Sequence, residues 1–241
     1  MQTKRVIIAA GCALAFGASF ANTGLVLHTG TSVSHLTGDI AKLTIDLASW
    51  SPATRLEASR VATAAGCFFF GAVAAGFFIH HPTLDLWRPY GRTVSAIGGL
   101  FLAAAFLVSG YPLVSIGLAG FGCGLQNAMA NHYRGIVLRT THLTGMFTDF
   151  GVSLGMKARG HDIPTWKIAV PFLIILSFCL GGLCAVVLQK SGYDTVLIAG
   201  VAYLVAGISW TIWKHGVFIP RQRGRSGQAT AMAEDQGDAS R

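Results

Sequence analysis

Charged residues are scarce in this chain of 241 residues. Asp, Glu, Lys and Arg make up 12% of it, whereas about a quarter is usual in a soluble globular domain. Acidic residues are the rarer kind, with 10 against 18 basic ones, and the charges cluster between long apolar runs. Because the basic residues lie at the ends of these runs, they form no continuous basic face of the kind that binds nucleic acid. The shortage of charge excludes a soluble domain and a nucleic-acid-binding protein.

The motifs of metal centres and of covalent catalysis are missing as well. The five cysteines form no C-x-x-C pair, and no H-E-x-x-H occurs. No Ser, Thr or Cys stands in a recognisable nucleophile setting. We therefore expect no enzymatic activity, no cofactor and no metal, and we expect the cysteines to be small core residues. The His80-His81 pair before Pro82 indicates interfacial anchoring, and the glycine-rich 120–124 run indicates tight helix packing.

Apolar residues dominate instead, at 52% of the chain with 30 glycines and a mean hydropathy of +0.55. Six apolar runs approach the roughly 20 residues that cross a bilayer. The first run follows Lys4-Arg5 and resembles a secretory signal, but it is longer than a signal core, so we expect it to be retained. The six predicted transmembrane helices are Val6–Leu27, Ala58–Ile79, Thr93–Ser109, Pro112–Ala130, Trp166–Leu188 and Thr195–Trp213.

One four-residue motif, His-Leu-Thr-Gly, occurs twice in the chain, at positions 35–38 and 142–145. Both copies, which we call the HLTG segments, follow an apolar run that carries an asparagine, Asn22 or Asn127. This repetition predicts two related halves, residues 1–110 and 111–219, each a membrane repeat. Residues 220–241 are polar and unpatterned, which predicts a disordered cytoplasmic tail.

Two topologies fit these runs. If the HLTG segments do not cross the membrane, the chain has six spans and two inverted halves. All basic residues except four then lie on the same side of the membrane as the N-terminus. If both segments cross, eight spans result and the halves are parallel. The charge bias favours six, and both topologies put the two termini in the cytoplasm, with a bacterial inner membrane as the location. In the six-span topology, the four basic residues on the side opposite the N-terminus are Lys42, Arg55, Arg60 and Lys190.

The first HLTG segment predicts a helix with one polar stripe. At 100° per residue, His35, Asp39, Lys42 and Asp46 share a stripe, and the spacings of Lys42 from the two aspartates suit ion pairs within the helix. Leu36, Ile40, Leu43, Leu47 and Trp50 form the apolar stripe. The second segment keeps this pattern with His142, Met146, Asp149 and Ser153 on its polar side and Leu143, Phe147, Phe150 and Leu154 on the other.

Two interpretations of these helices compete. Each could lie in the headgroup region with its apolar face down, or each could fold into the protein with its polar stripe along a water-accessible path. The second is favoured, because the polar face is largely acidic and a Thr-Gly step suggests a break in the first turn. A His–His–Asp metal site is the weaker alternative for the two histidines.

The sequence resembles a known family at this point. Thr37-Gly38-Asp39, the 124–128 run Gly-Leu-Gln-Asn-Ala and the 140–145 run Thr-Thr-His-Leu-Thr-Gly are similar to motifs of the YoaK-like bacterial membrane proteins, classed as DUF1275 or UPF0700. The resemblance covers most of residues 6–215. Asn22-Thr23 stands where the family often has Asp-Ala, so a role that needs a carboxylate there is not carried over. The resemblance implies a multi-span inner-membrane protein and names no substrate.

We expect a small-solute transporter or channel with its polar site between the two HLTG segments, where an aspartate and a histidine could bind or relay a proton. The alternative is a membrane scaffold or sensor that binds a partner or lipid, with each HLTG threonine capping its helix. Beyond the bilayer and an unknown solute or ion no partner is predicted, and a homo-oligomer is left open. The candidate binding residues are His35, Thr37, Asp39, Lys42, Asp46, Gln126, Asn127, His142, Thr144 and Asp149.

Overall fold

Helices make up nearly all of the described structure. The computed structural model describes residues 2–49, 51–79, 90–129, 132–133, 136–137 and 141–218. Within these ranges there are eight α-helices and one short antiparallel pair of strands. In chain order they are α1 (Gln2–Thr29), α2 (Leu36–Ala48), α3 (Pro52–Ile79), α4 (Tyr90–Leu107), α5 (Pro112–Met129), β1 (His132–Tyr133), β2 (Ile136–Val137), α6 (Leu143–Ala158), α7 (Thr165–Lys190) and α8 (Thr195–Trp213), followed by a π-helical turn at Lys214–Phe218.

Five of these helices, α1, α3, α4, α7 and α8, are long and apolar enough to cross a membrane. The sixth apolar run forms α5, a helix of 18 residues. It is not among the five candidate spans; it carries Gln126 and Asn127 in its last turn and lies mostly buried among the other helices. By the length and composition of its helices, the chain is a multi-pass membrane protein.

Proline and glycine set several helix ends. Pro52 and Pro112 are the first residues of α3 and α5, where a proline's fixed φ suits the helix and its missing N–H costs no hydrogen bond. Gly192 follows α7 with a φ of 86°, and the amide of Tyr193 closes the end by donating to the Leu188 carbonyl at 3.1 Å. Such a left-handed residue satisfies carbonyls that a helix end leaves open.

The closest helix pairs meet through glycines. On α5, Gly120 lies against Ala64 and Gly124 against Phe68, so α3 and α5 run parallel. A Cβ atom on Gly124 would collide with the Phe68 carbonyl oxygen. The glycine-rich run therefore serves packing, as expected, because only residues without a side chain let two helix backbones approach so closely.

Helices α1 and α7 form a second parallel pair. Gly11 lies against Ile174, and Gly181 lies against the backbone of Phe16. Since the higher number on one helix meets the higher number on the other, both helices point the same way. We call the end of the bundle where α1 and α7 begin the N-side, and the opposite end the far side.

Helices α4 and α8 pack antiparallel in the middle of the bundle. Gly91 near the start of α4 meets Gly207 of α8, whereas Gly98 meets Gly200 and Leu204. Gly98 and Leu204 lie near the middles of their helices. α8 in turn runs antiparallel to α1, because Gly17 and Gly24 of α1 lie against Tyr203 and Thr195.

The two short helices attach to the helices that follow them. α2 packs on α3 and ends at the far side, where α3 begins; α6 packs on α7 and ends at the N-side, where α7 begins. At the far side, His28 near the end of α1 lies 3.1 Å from the Gln189 amide nitrogen and 3.8 Å from an Asp194 carboxylate oxygen. This contact joins the end of α1 to the α7–α8 turn.

One sequence expectation about side chains is wrong in part. All five cysteines lie in the described helices and none is paired, but only Cys123 is buried, and Cys179 is exposed on α7. α7 is apolar on every side, so its sequence pattern does not reveal which face packs inward. The His80-His81 pair, Trp50 and the 221–241 tail lie outside the described residues.

Candidate functional site

Both HLTG segments are held by an asparagine from the preceding helix. The Asn22 side-chain oxygen accepts hydrogen bonds from the Val33 amide at 2.9 Å and from the Ser32 hydroxyl at 3.1 Å. The Asn127 side-chain oxygen accepts a hydrogen bond from the Thr141 hydroxyl at 2.8 Å. Each asparagine satisfies polar groups of the chain leading into the short helix, where the surroundings offer few other partners. The sequence placed Asn127 in the site, and the structure places it at the entry to α6.

The first HLTG helix begins at the level of the middle of α7, with the His35 side chain exposed. His35 is the N-cap residue of α2 and makes no side-chain capping bond. Its ring packs edge-on against Phe178, with the ring centroids 5.4 Å apart. Phe178 lies at the middle of α7, which is long and apolar enough to cross the membrane. The imidazole of His35 is therefore placed about half-way across the apolar bundle.

The second HLTG helix, α6, begins against α7 about one turn before the point where α2 begins. His142 is the N-cap of α6, again without a side-chain capping bond. Leu143 and Met146 in the first turns of α6 pack in one cluster with Ile174, which lies one turn before Phe178 on α7. Met146 is 1% exposed. The starts of α2 and α6 thus lie against neighbouring turns of α7, although the two helices run to opposite sides.

The capping role considered for the HLTG threonines is wrong. The N-cap positions are His35 and His142, and Thr37 and Thr144 are exposed residues inside the first turns. The side chains that support the loop before α2 are the hydroxyl of Ser32, which accepts from the His35 amide at 3.2 Å, and Asn22. The upstream chain folds back on α1, and these bonds hold the loop in place by satisfying the amides of Val33 and His35 before the helix begins.

The two aspartates of the polar stripe of α2 are buried or half-buried, whereas His35 and Lys42 are exposed. The lysine has a partner that the stripe alone did not reveal. Lys42 Nζ lies 3.0 Å from Glu57 Oε2 on α3, so the expected ion pairs with Asp39 and Asp46 are replaced by one between helices. Glu57 also binds Arg60 at 3.1 Å. The hairpin register of α2 on α3 brings Glu57 within reach, and a helix's own periodicity contains no information about that register.

The burial of α2 follows the same orientation. Asp46 is 8% exposed, whereas Ile40 and Leu47 of the apolar stripe are exposed. A helix lying in the headgroup region would turn its apolar face to the protein side or the acyl chains and its acidic face to water. Here Asp46 is buried and Asp39 is half-buried, so the acidic groups of this face lie against the protein although His35 and Lys42 are exposed.

Burial shifts the protonation of the two groups at the start of α2. It raises the pKa of Asp39, against the opposing effects of the His35 and Lys42 charges. It also lowers the pKa of His35, against the attraction of Asp39. Both shifts favour the neutral form of the group. Asp39 Oδ2 is buried and has no hydrogen-bond partner among the described residues.

The polar groups of α6 lie on its outer side. His142, Thr144 and Asp149 are exposed, and Ser153 is half-buried. Met146 takes the position that corresponds to Asp39, and it is enclosed by apolar side chains. The two HLTG helices therefore differ at this position: the first directs the Asp39 carboxylate toward the protein, and the second directs the Met146 thioether toward it.

Gln126 belongs to a different polar cluster, formed between three helices. Its side chain is fully buried. The Gln126 amide donates to the Leu14 carbonyl at 2.8 Å, and its carbonyl accepts from the Tyr203 hydroxyl at 2.6 Å. The sequence left open whether Gln126 touches a solute or another helix, and the structure places it between helices. Tyr203 was missed because a single tyrosine in an apolar run gives no signal.

The described residues form no candidate metal centre around these groups. In the ranges that the structure describes, no three His, Cys, Asp or Glu side chains come close enough to hold a metal ion. His35 packs on Phe178 of α7, and His142 precedes Leu143, which packs in one cluster with Ile174 of the same helix.

Comparison with known proteins identifies the chain at family level. A family model described as "Protein of unknown function (DUF1275)" matches residues 10–209. This range includes both HLTG segments and all eight helices apart from the first turns of α1 and the last turn of α8. Neither the curated proteins nor the solved structures contain a match to the chain.

Proposed function

Because the chain belongs to the DUF1275 family, whose description names no function, we propose a role from its own geometry: a small-solute transporter or channel. Its path passes between the starts of α2 and α6. The observation that carries this proposal is the position of His35 against Phe178, at mid-length of α7. Ionisable groups at membrane depth are costly and mark solute or ion pathways. On this proposal the chain moves a solute and is not an enzyme.

The proposal includes six spans in two inverted halves, with α5 as the sixth. The contacts of the two halves correspond: α3 packs parallel to α5, and its counterpart α7 packs parallel to α1. α4 and its counterpart α8 cross antiparallel near their middles, at Gly98 and Leu204. A two-fold axis that exchanges two antiparallel helices lies perpendicular to them, and hence in the plane of the membrane. Transporters with inverted repeats place their solute site near such an axis at mid-depth.

The orientation that we propose puts both termini in the cytoplasm of a bacterial inner membrane. The N-side of the described structure is rich in basic residues, and the far side has fewer, with Lys42 there paired to Glu57. Lys and Arg are retained on the cytoplasmic side of membrane proteins. The basic residues at or near the N-side are Arg5, Arg92, Lys157, Arg159, Lys167 and Lys214.

Flux through reconstituted protein tests the function. The purified chain in liposomes is exposed to a panel of polyols, amino acids and monovalent ions, and uptake is followed by light scattering and by conductance. We expect a flux for at least one solute that His142→Ala or Asp149→Asn lowers at least several-fold. His161→Ala and Asp162→Asn, in the exposed turn between α6 and α7, are matched controls. If both site variants leave the flux unchanged, the site assignment is wrong.

One contact supports the alternative of a scaffold or sensor. Lys42 is bound to Glu57 and through it to Arg60, so part of the α2 charge serves to hold α2 on α3. Single cysteines at positions 39, 42, 146 and 149 in a cysteine-free background separate the two functions. A water path predicts labelling at position 39 by a small water-soluble thiol reagent. Labelling of only those positions nearest a headgroup surface, with no flux for any solute, would favour the scaffold.

A further inference from the structure

Buried polar atoms without a partner are concentrated in one part of the molecule. Among the described residues six such side-chain atoms occur, and five of them belong to the segment between the end of α1 and the first turns of α3. Buried polar groups are nearly always hydrogen-bonded, and each exception calls for a solvent molecule, an ion or a proton. The five are Thr31 Oγ1, Ser34 Oγ, Asp39 Oδ2, Asp46 Oδ2 and Arg60 Nε; the sixth, Trp210 Nε1, lies on α8.

These five atoms lie between the far side and the middle of the bundle. Arg60 donates to the carbonyl of Thr29, the last residue of α1, and so lies near the far side. At the other end of the segment, His35 packs on Phe178 at the middle of α7. Thr31 and Ser34 are in the loop that joins these two levels. The unpartnered atoms therefore follow the fold-back of the chain from the far surface to mid-depth.

The corresponding segment of the second half has the opposite character. Met146 occupies the place of Asp39 and is enclosed by Val170, Ile174 and Ile175 of α7 together with Ile7 of α1. No unpartnered buried polar atom occurs in the described part of this segment, from Thr141 through the first turns of α7. These side chains offer water and ions no polar partner around Met146.

The other charges near Asp39 are few, and most are bound elsewhere. On α2 these are His35, one turn earlier, and Lys42, whose ammonium binds Glu57 of α3. On α3, Arg60 binds Glu57 and the Thr29 carbonyl, and Arg55 is exposed. α7 contributes the uncharged ring of Phe178. No cation in this set forms an ion pair with the Asp39 carboxylate, so the buried Oδ2 of that group has neither a hydrogen-bond donor nor a positive partner among the described residues.

We propose that Asp39 is a proton-binding group reached from the far side along the Thr31–Asp39 segment, and that Met146 closes the equivalent route from the N-side. The ligand is a single proton, which converts the carboxylate to a neutral acid and leaves no charge at mid-depth. The raised pKa of Asp39 agrees with this. The role of this proton as the coupling ion of transport rests on the proposed function. The binding of a proton by Asp39 does not require that the protein transports a solute.

Infrared difference spectroscopy of the protein in liposomes tests the binding. We expect a protonated-carboxyl band that titrates above the ordinary range of an aspartic acid and disappears in Asp39→Asn. Asp162→Asn, which changes an exposed aspartate in the turn between α6 and α7, should retain the band. A wild-type spectrum with no such band would overturn the proposal. So would a carboxylate spectrum that responds to Na⁺ and not to pH, because the ligand would then be a metal cation.

A proton-leak measurement tests the closure at Met146. Liposomes with a potassium gradient and valinomycin report proton entry through a pH-sensitive dye. We expect Met146→Ala to raise the leak at least several-fold over wild type, Met146→Leu to leave it unchanged, and Met156→Ala, at an exposed position of α6, to leave it unchanged. An equal leak in Met146→Ala and wild type, with the variant folded by its infrared amide band, would contradict the closure.

The two proposals fail in different ways. A carboxyl band that depends on Asp39 in a protein that moves no solute would retain the proton site and reject transport. A solute flux that depends on His142 and Asp149, with no protonated band at Asp39, would retain transport and reject the proton site.

Discussion

Gln126 and Tyr203 show how single polar residues hold an apolar bundle together. Their side chains are buried, and they join α5 to α8 and, through the Leu14 carbonyl, to α1. Inside a membrane, either group would find no water to hydrogen-bond if it were unpaired. The bond between them is therefore maintained once the helices have packed together.

Replacing Gln126 with leucine should destabilise the fold. The change removes the Gln126 carbonyl that accepts from the Tyr203 hydroxyl at 2.6 Å and leaves that hydroxyl only the longer contact, 3.4 Å, to the Leu14 carbonyl. A buried polar group that loses its good partner costs about 1–3 kcal/mol. The measurement is the thermal unfolding midpoint in detergent. Adding Tyr203→Phe should recover part of the loss, because both polar groups are then gone. Tyr193→Phe, in the exposed turn before α8, is the control. No recovery in the double variant would contradict the pairing.

Asp39 predicts a pH dependence of stability whose sign follows from its burial. Its pKa is raised from 3.8 in the folded protein, so the folded state holds the proton more tightly than the unfolded state. The stabilisation is complete below the unfolded value and is lost as pH rises through the folded pKa. We expect the unfolding midpoint of wild type to fall over that window relative to Asp39→Asn, which stays neutral. Asp149→Asn should follow wild type. A parallel pH profile in wild type and Asp39→Asn would refute the shift.

At the scale of the helices, close approach depends on glycines whose missing side chain faces another backbone. α3 meets α5 at Gly124 and Gly120, and α1 meets α7 at Gly181. Other glycines of the same helices face open space: Gly66 of α3 has no neighbouring atom within 4 Å of a Cβ position. The two groups are alike in sequence and differ only in which neighbour they face.

Alanine substitutions separate these two kinds of glycine. Gly124→Ala forces a methyl group into the Phe68 carbonyl, and such overpacking costs about 1–3 kcal/mol. Gly66→Ala adds a methyl group in open space, and losing a helical glycine gains roughly 0.5–1 kcal/mol. Unfolding midpoints of the two variants should therefore move in opposite directions. Equal shifts would mean that α3 and α5 do not meet at Gly124.

For the whole molecule, the direction of each helix decides what kind of path the chain can form. α2 runs to the far side and α6 to the N-side, while both begin against neighbouring turns of α7. The two short helices therefore have their starts at nearly the same level of α7 and their ends at opposite sides of the bundle. Such a plan suits a channel or an alternating-access site.

Epitope or cysteine tags test this arrangement. A tag near Pro52, at the α2–α3 turn, and one near Gly160, at the α6–α7 turn, should be accessible from opposite sides of intact membranes, with Gly160 on the cytoplasmic side. A tag in the α7–α8 turn near Gly192, which follows α7 at the far side, should match Pro52. Pro52 and Gly160 on the same side would indicate eight spans with parallel halves and would reject the inverted arrangement.

The sequence by itself determined the class of the protein, because membrane helices follow from local composition. Each of the six apolar runs is a helix, and both HLTG segments begin short helices at the residues where the pattern placed them. The family was also identified from short motifs, and the match over residues 10–209 confirms it. Runs of apolar residues, turn residues and short motifs need no knowledge of distant contacts.

Only the tertiary structure decided which groups meet. Lys42 pairs with Glu57 on another helix, Gln126 with Tyr203, and Cys179 lies outside the core. The depth of His35 is set by α7, whose residue 178 is distant in the sequence. These relations depend on helix order, direction and register, which hydropathy does not encode in a bundle whose helices are apolar on most sides. The unequal burial of Asp39 and Met146, at matching positions of two similar segments, has the same physical origin.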